Sequence, residues 1–224
     1  MSPIILKFAN ELIKQAIKGH IMKRLSLSIA FVFCTLALAA QEEGIRVNCQ
    51  GVKPNIKDFA SGFIASLISE AEECDMEGIS MYKGLLRSIS CQEKGLPLEE
   101  NESLTIDLKN GFLVYERKQD EYLMRIEMCY WNEVDGKHKL FANNRWTFKN
   151  GKPLTGQYDV LDFYRYNNAT KKMSWCVPPG FDVEYFNKSY ALPRTGKDII
   201  VTTWNGNGKK SQKIQKWNGH GFSR

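Results

Sequence analysis

Three histidines stand among the 224 residues: His20, His138 and His220. Each is isolated. No His-Glu-x-x-His and no Cys-x-x-Cys spacing occurs, so the ligand pairs of a hydrolytic zinc site or a dithiol redox site are missing. A nucleophilic triad has only these histidines to draw on, and no Gly-x-Ser-x-Gly turn is present to seat a serine. Gly196-Lys197 runs into Asp198 instead of Ser or Thr, with Ala191 in place of the first glycine, so a phosphate-cradling loop fails twice. Asp159 and Asp162 lie three apart on an expected strand, and alternation sends them to opposite faces. Catalytic residues, metal and cofactor are therefore all expected to be none.

Aromatic side chains are the better lead for binding. Tyr158, Tyr164 and Tyr166 share one face of an expected strand, Trp175 lies on the next, and Trp131 and Trp146 lie on strands nearby. A sheet face left uncovered by helices would present such rings to a sugar or peptide. Tyr164, Tyr166, Trp175 and Trp131 are accordingly the candidate ligand-binding residues, with core packing as the competing use.

The elements that must position these residues read as follows. Asn55 is a good N-cap, with Asp58 three residues on, and Ile56, Phe59, Ala60, Phe63, Ile64, Leu67 and Ile68 recur at helical spacing. A helix is expected over about 55–73, and a second over about 78–91, weakened by Gly84. From Ser103 the period becomes two. Asn110-Gly111, Asp135-Gly136, Asn150-Gly151 and Asn167-Asn168 mark hairpin turns, and a last hairpin surrounds residues 206–208. On the strand from Tyr122, the residues Met124, Ile126, Met128 and Tyr130 form one face, and Arg125, Glu127, Cys129 and Trp131 the other. The expected fold class is α+β: two N-terminal helices packed on an antiparallel β-meander of about seven or eight strands.

Residues 1–21 read as an upstream extension. Met22-Lys23-Arg24, the apolar run 25–40 and Ala37-Leu38-Ala39 have the three parts of a secretory signal peptide, with cleavage near Ala40. The run is 16 residues, short of the roughly 20 that span a bilayer, so no stable membrane span is expected after cleavage. Residues 41–224 then form a single domain, periplasmic or secreted.

Removing the leader changes the charge. The full chain carries 31 basic and 25 acidic residues, a net of +6; residues 1–40 hold five basic and one acidic of these. The remaining 184 residues carry 26 and 24, a net of +2, with no run of five or more like charges. Nucleic acid is excluded as a partner on this ground. Five cysteines remain, and Cys74–Cys91 is the preferred bridge in an oxidising compartment, tying the ends of neighbouring helical segments.

The runs 128–142, 156–158, 163–170 and 216–219 resemble uncharacterised exported proteins of the gut Bacteroidetes type. That resemblance spans about 49–222, implies an envelope or secreted location, and carries no functional residue over. The expected function is an exported, non-catalytic binding or interaction domain of the bacterial cell envelope, with an envelope protein or a glycan as partner. The alternatives are a glycan hydrolase using an Asp/Glu pair about 5–10 Å apart and a carrier or chaperone for an apolar ligand, suggested by Met124, Met128 and Tyr130.

Overall fold

A strand with apolar residues on both faces needs cover on both sides, and this requirement organises the molecule. The computed structural model describes residues 44–70, 76–154, 160–184, 187–204 and 209–223. The expected extension, leader and cleavage site lie outside the described residues. After a short strand β1 (Ile45–Arg46) come helices α1 (Ile56–Glu70) and α2 (Met76–Glu93). Strands follow: β2 (Glu102–Asp107), β3 (Phe112–Gln119), β4 (Tyr122–Asn132), β5 (His138–Lys149), β6 (Lys152–Pro153), β7 (Val160–Asn167) and β8 (Lys172–Cys176). The chain ends in β9 (Lys188–Ala191), β10 (Ile199–Trp204), β11 (Lys210–Trp217) and β12 (Phe222–Ser223).

The expected α+β class is corrected. The chain is mostly β, and the two helices among the described residues lie at 56–93 behind a first strand, not at the N-terminus. Nor do the strands make one meander. Eight form an antiparallel sheet in the order β1-β8-β7-β5-β4-β3-β2, with β6 paired to β5, while β9 to β12 form a second sheet. Both faces of β4 explain the split. Ile126 and Met128 face the helices, where they are fully buried with Phe59, Phe63, Met81, Leu85 and Phe141. Cys129 and Trp131 face the other way and pack with Phe163, Phe181, Ile199, Trp217 and Phe222. The helices cover one side of the large sheet and the second sheet covers the other.

Gly84 has a packing reason that propensity conceals. A Cβ there would stand 2.5 Å from the Tyr115 hydroxyl. Tyr115 is fully buried, and its hydroxyl donates to Glu102 at 2.5 Å, so it has nowhere to retreat. Helix propensity alone makes Gly84→Ala stabilising by about 1 kcal/mol. Overpacking of a rigid contact outweighs that, and a net loss of about 1–2 kcal/mol is expected in urea unfolding. A gain in stability would show that α2 sits further from β3 than described.

Candidate functional site

Pairing register builds the site. Asn132 of β4, Lys139 of β5 and Tyr166 of β7 stand directly opposite one another, and Tyr130, Phe141 and Tyr164 form the next row. Directly opposed residues share a face. This face looks toward α1, since the Phe59 ring lies 5.1 Å from Tyr130 and 5.0 Å from Tyr166. Beyond the start of α1 the helices no longer cover the sheet. There segment 49–54, the turn 133–138 and the turn before β8 enclose a cavity of about 580 Å³. Cys49, Lys53, Tyr130, Asn132, Glu133, His138, Lys139, Tyr166, Asn168 and Lys171 line it.

Local sequence fixes these walls. Asn55 caps α1 by accepting from the Lys57 amide at 2.8 Å. Asp58, itself buried, accepts from the amides of Asn55 at 2.9 Å and Gln50 at 3.2 Å, which ties segment 49–54 to the helix start. On the opposite wall, Asp135 accepts from the amides of Lys137 and His138 at 2.8 and 3.0 Å, and its carboxylate meets His138 Nδ1 at 2.5 Å. These contacts, led by that of His138, hold the Asp135 carboxyl well below the usual carboxylate range. The Asn168 side chain donates to the Gly136 carbonyl at 3.0 Å.

Glu133, Asp135 and His138 place one ligand atom each within 4.8 Å of one another, which raises a metal site. The donor set does not fit. Arg165 donates to Glu133 through Nε at 2.8 Å and through its terminal nitrogen at 2.5 Å, so a cation already neutralises that carboxylate. His138 Nδ1 is spent on Asp135. The cluster is an ion-pair network that fixes the turn.

An acid/base pair for glycan hydrolysis finds no better footing. A general acid needs a raised pKa, whereas Asp135 is driven down and both Glu133 oxygens are held by Arg165. Burial does push Glu127 and Asp162 up. They stand on opposite faces of the large sheet: Glu127 is paired in register with Asn144 and bonded toward Leu192, and Asp162 is opposite Asn143, which donates to Tyr82 of α2.

No family model, curated protein or solved structure matches the chain. The functional reading therefore rests on the site itself.

Of the four expected ligand residues, Tyr166 alone lines this cavity. Tyr164 is spent on packing, with its ring 5.3 Å from Phe63. Trp131 is buried between the sheets, 5.7 Å from Trp217, and donates to the Lys197 carbonyl at 2.8 Å. Trp175 is 63% exposed and its indole bonds Asp162, away from the lining. The structure does not bring the four together: Tyr164, Tyr166 and Trp175 fall on the helix side of the large sheet, where α1 packs on both tyrosines, and Trp131 falls on the opposite side, under the second sheet. The expected Cys74–Cys91 bridge has Cys74 outside the described residues, and Cys91 is a free thiol.

The residues that sequence reading missed are Lys53, Lys139, Lys171 and Asn132; Tyr130 was seen only as part of an apolar face. At the opposite end of the helix-covered face lies a second cavity of about 320 Å³, with Met81, Tyr122, Met124, Arg145 and Leu154 in its walls. The space between the two ends is packed, with Ile126 and Met128 fully buried. No helix among the described residues is long and apolar enough to cross a membrane.

Proposed function

We propose that this chain is a non-catalytic binding domain of the bacterial cell envelope, exported by its leader, that takes its ligand in the cavity beside the start of α1. The observation that carries the reading is the cavity's construction. Its volume of about 580 Å³ lies within the usual range of small-ligand sites. Its floor is rigid, because Tyr130 and Tyr166 are clamped on Phe59. Hydrogen-bonding groups converge on it from three separate segments, which suits orientation of a polar ligand. Against hydrolysis stand the two engaged carboxylates of the 133–138 turn.

The test combines a glycan array with an assay for released reducing ends, using the purified chain and its Asn132→Trp variant. Asn132 is exposed at the rim, so an indole there blocks the mouth, and because it also removes the acceptor of the Lys139 ammonium the melting temperature is followed alongside binding. Expected are array ligands whose binding drops about tenfold or more in the variant, no release of reducing ends, and a cooperative melt lowered by only a few degrees, the cost of about one hydrogen bond to a charged group. Array binding that ignores Asn132→Trp removes the cavity as the site, and turnover of a bound glycan removes the non-catalytic reading.

A further inference from the structure

We propose that the cavity selects a hydroxylated small molecule bearing an oxyanion, such as a uronate or a sulfated or phosphorylated sugar, held by Lys53, Lys139 and Lys171. The proposal rests on the cavity being the binding site and adds the class of ligand.

Charge balance around the cavity is the first argument. Three lysines line it, and none has a carboxylate partner among the described residues. The lining carboxylate, Glu133, does not compensate them, because Arg165 saturates it. Several exposed lysines, such as Lys83 and Lys109, are likewise without a carboxylate partner among the described residues, so what distinguishes these three is that they line one cavity; the paired lysines are few. Lys57 pairs with Glu93, Lys149 with Glu121, and Lys188 with Glu184.

Burial is the second. Lys139 is only 9% exposed, unusual for an ammonium group. Its ammonium donates to the Asn132 side chain and lies 5.0 Å from the centroid of the Tyr130 ring. Burying a charge without a counter-charge costs free energy, and a ligand anion would supply the counter-charge. Burial and the positive charge of Lys53 both pull the Lys139 pKa down, as expected of a cation held close to another cation with no anion between them.

The rest of the lining sets the remainder of the ligand. Asn132 and Asn168 offer donors and acceptors suited to hydroxyl groups, while the buried Tyr166, its hydroxyl 3.9 Å from the Cys49 thiol, closes the floor. A bare inorganic ion would leave most of a 580 Å³ space empty.

Titration calorimetry on the full chain tests this with four probes: trigalacturonate for the carboxylate, a heparin-derived disaccharide for sulfate, glucose 6-phosphate for phosphate, and neutral galactotriose. At least one anionic probe is expected to bind and galactotriose is not. Affinity should fall about tenfold in Lys139→Met, which keeps the alkyl stem, and severalfold in Lys53→Gln. It should weaken as salt rises from about 0.02 to 0.2 M. Lys53 is exposed, so its variant keeps the test valid should Lys139→Met fold poorly. Galactotriose binding as tightly as trigalacturonate, with both lost in Asn132→Trp, overturns the anion while leaving the cavity as the site. Anionic binding indifferent to Asn132→Trp overturns the cavity itself. Absence of binding by all three anionic probes overturns the anion proposal, and which probe binds identifies the oxyanion.

Discussion

Glu127→Ala is expected to lower the unfolding free energy by about 2–4 kcal/mol, a fall in melting temperature of about 4–15 °C. Glu127 sits on β4 between the two sheets, 8% exposed. One of its oxygens accepts from the Leu192 amide at 3.0 Å and from the Asn144 side chain at 3.2 Å. Asn144 in turn donates to the Tyr190 carbonyl at 2.9 Å and accepts from the Trp146 indole at 2.5 Å. Two bonds thus join the large sheet to the segment of the second sheet, from the Leu192 amide to Glu127 and from Asn144 to the Tyr190 carbonyl, and the first ends on this carboxylate while the second depends on the asparagine it holds. Alanine strands the Leu192 amide and half of the Asn144 bonding in a dry interface, and an unsatisfied buried donor costs more than its bond contributed.

The pH dependence follows from burial, which raises the Glu127 pKa in the folded protein. A carboxyl with a raised folded pKa binds its proton more tightly when folded. Its contribution is therefore fully present below the unfolded value of about 4.3 and declines as pH rises through the folded value. Glu127→Gln removes that titration. The stability of the native chain relative to the glutamine variant should fall as pH rises above about 4, measured by chemical unfolding across the acid range. A constant difference would mean that water reaches the carboxylate.

Local pattern carries local structure in this chain, and the limit of that pattern is visible in particular residues. The i, i+3, i+4 recurrence of Phe59, Phe63 and Ile64 gives α1 because one helix face meets one sheet, and the cap at Asn55 lies where its side chain predicts. Alternation along β4 separates Met128 from Trp131 correctly. What alternation cannot say is which layer covers each face. Trp131 reads equally well as a solvent-facing ring and as a ring under a second sheet. The choice depends on where β9 to β12 return, some 60 residues or more later in the chain.

The cavity was illegible for a related reason. Tyr130, Lys139 and Tyr166 meet through the registers of β4 with β5 and of β5 with β7. A slip of one residue in either would send Lys139 or Tyr166 to the opposite face. Lys139 opens the strand expected over 139–148, just after the Asp135-Gly136 turn, and nothing in its local sequence marks it as buried. It becomes a buried cation only because that register sets it between Asn132 and Tyr166.

Arg165→Met is the second large effect, and it separates the cost of breaking an ion pair from the worth of having one. Glu133 exposes 2% of its side chain and is clamped by two Arg165 nitrogens, with His220 Nδ1 at 3.3 Å. Breaking a buried pair costs about 3–5 kcal/mol, because a charge stays behind unpaired. The Arg165 side chain is 40% exposed, so water screens part of that loss, and about 2–3 kcal/mol is expected. The damage should reach the ligand site, since Glu133 opens the turn that walls the cavity and Val134 anchors that turn to the Gly219 carbonyl at 2.9 Å. Binding of the anionic probe should weaken together with stability. The double variant Arg165→Met/Glu133→Leu decides between the two accounts. If the pair serves chiefly to avoid a stranded carboxylate, removing both partners recovers most of the stability, as apolar replacements of buried pairs commonly do. Urea unfolding of the single and double variants completes the cycle. A double variant no more stable than the single would show instead that the guanidinium itself, through its further contact with Asp135 at 3.8 Å, holds the turn in place.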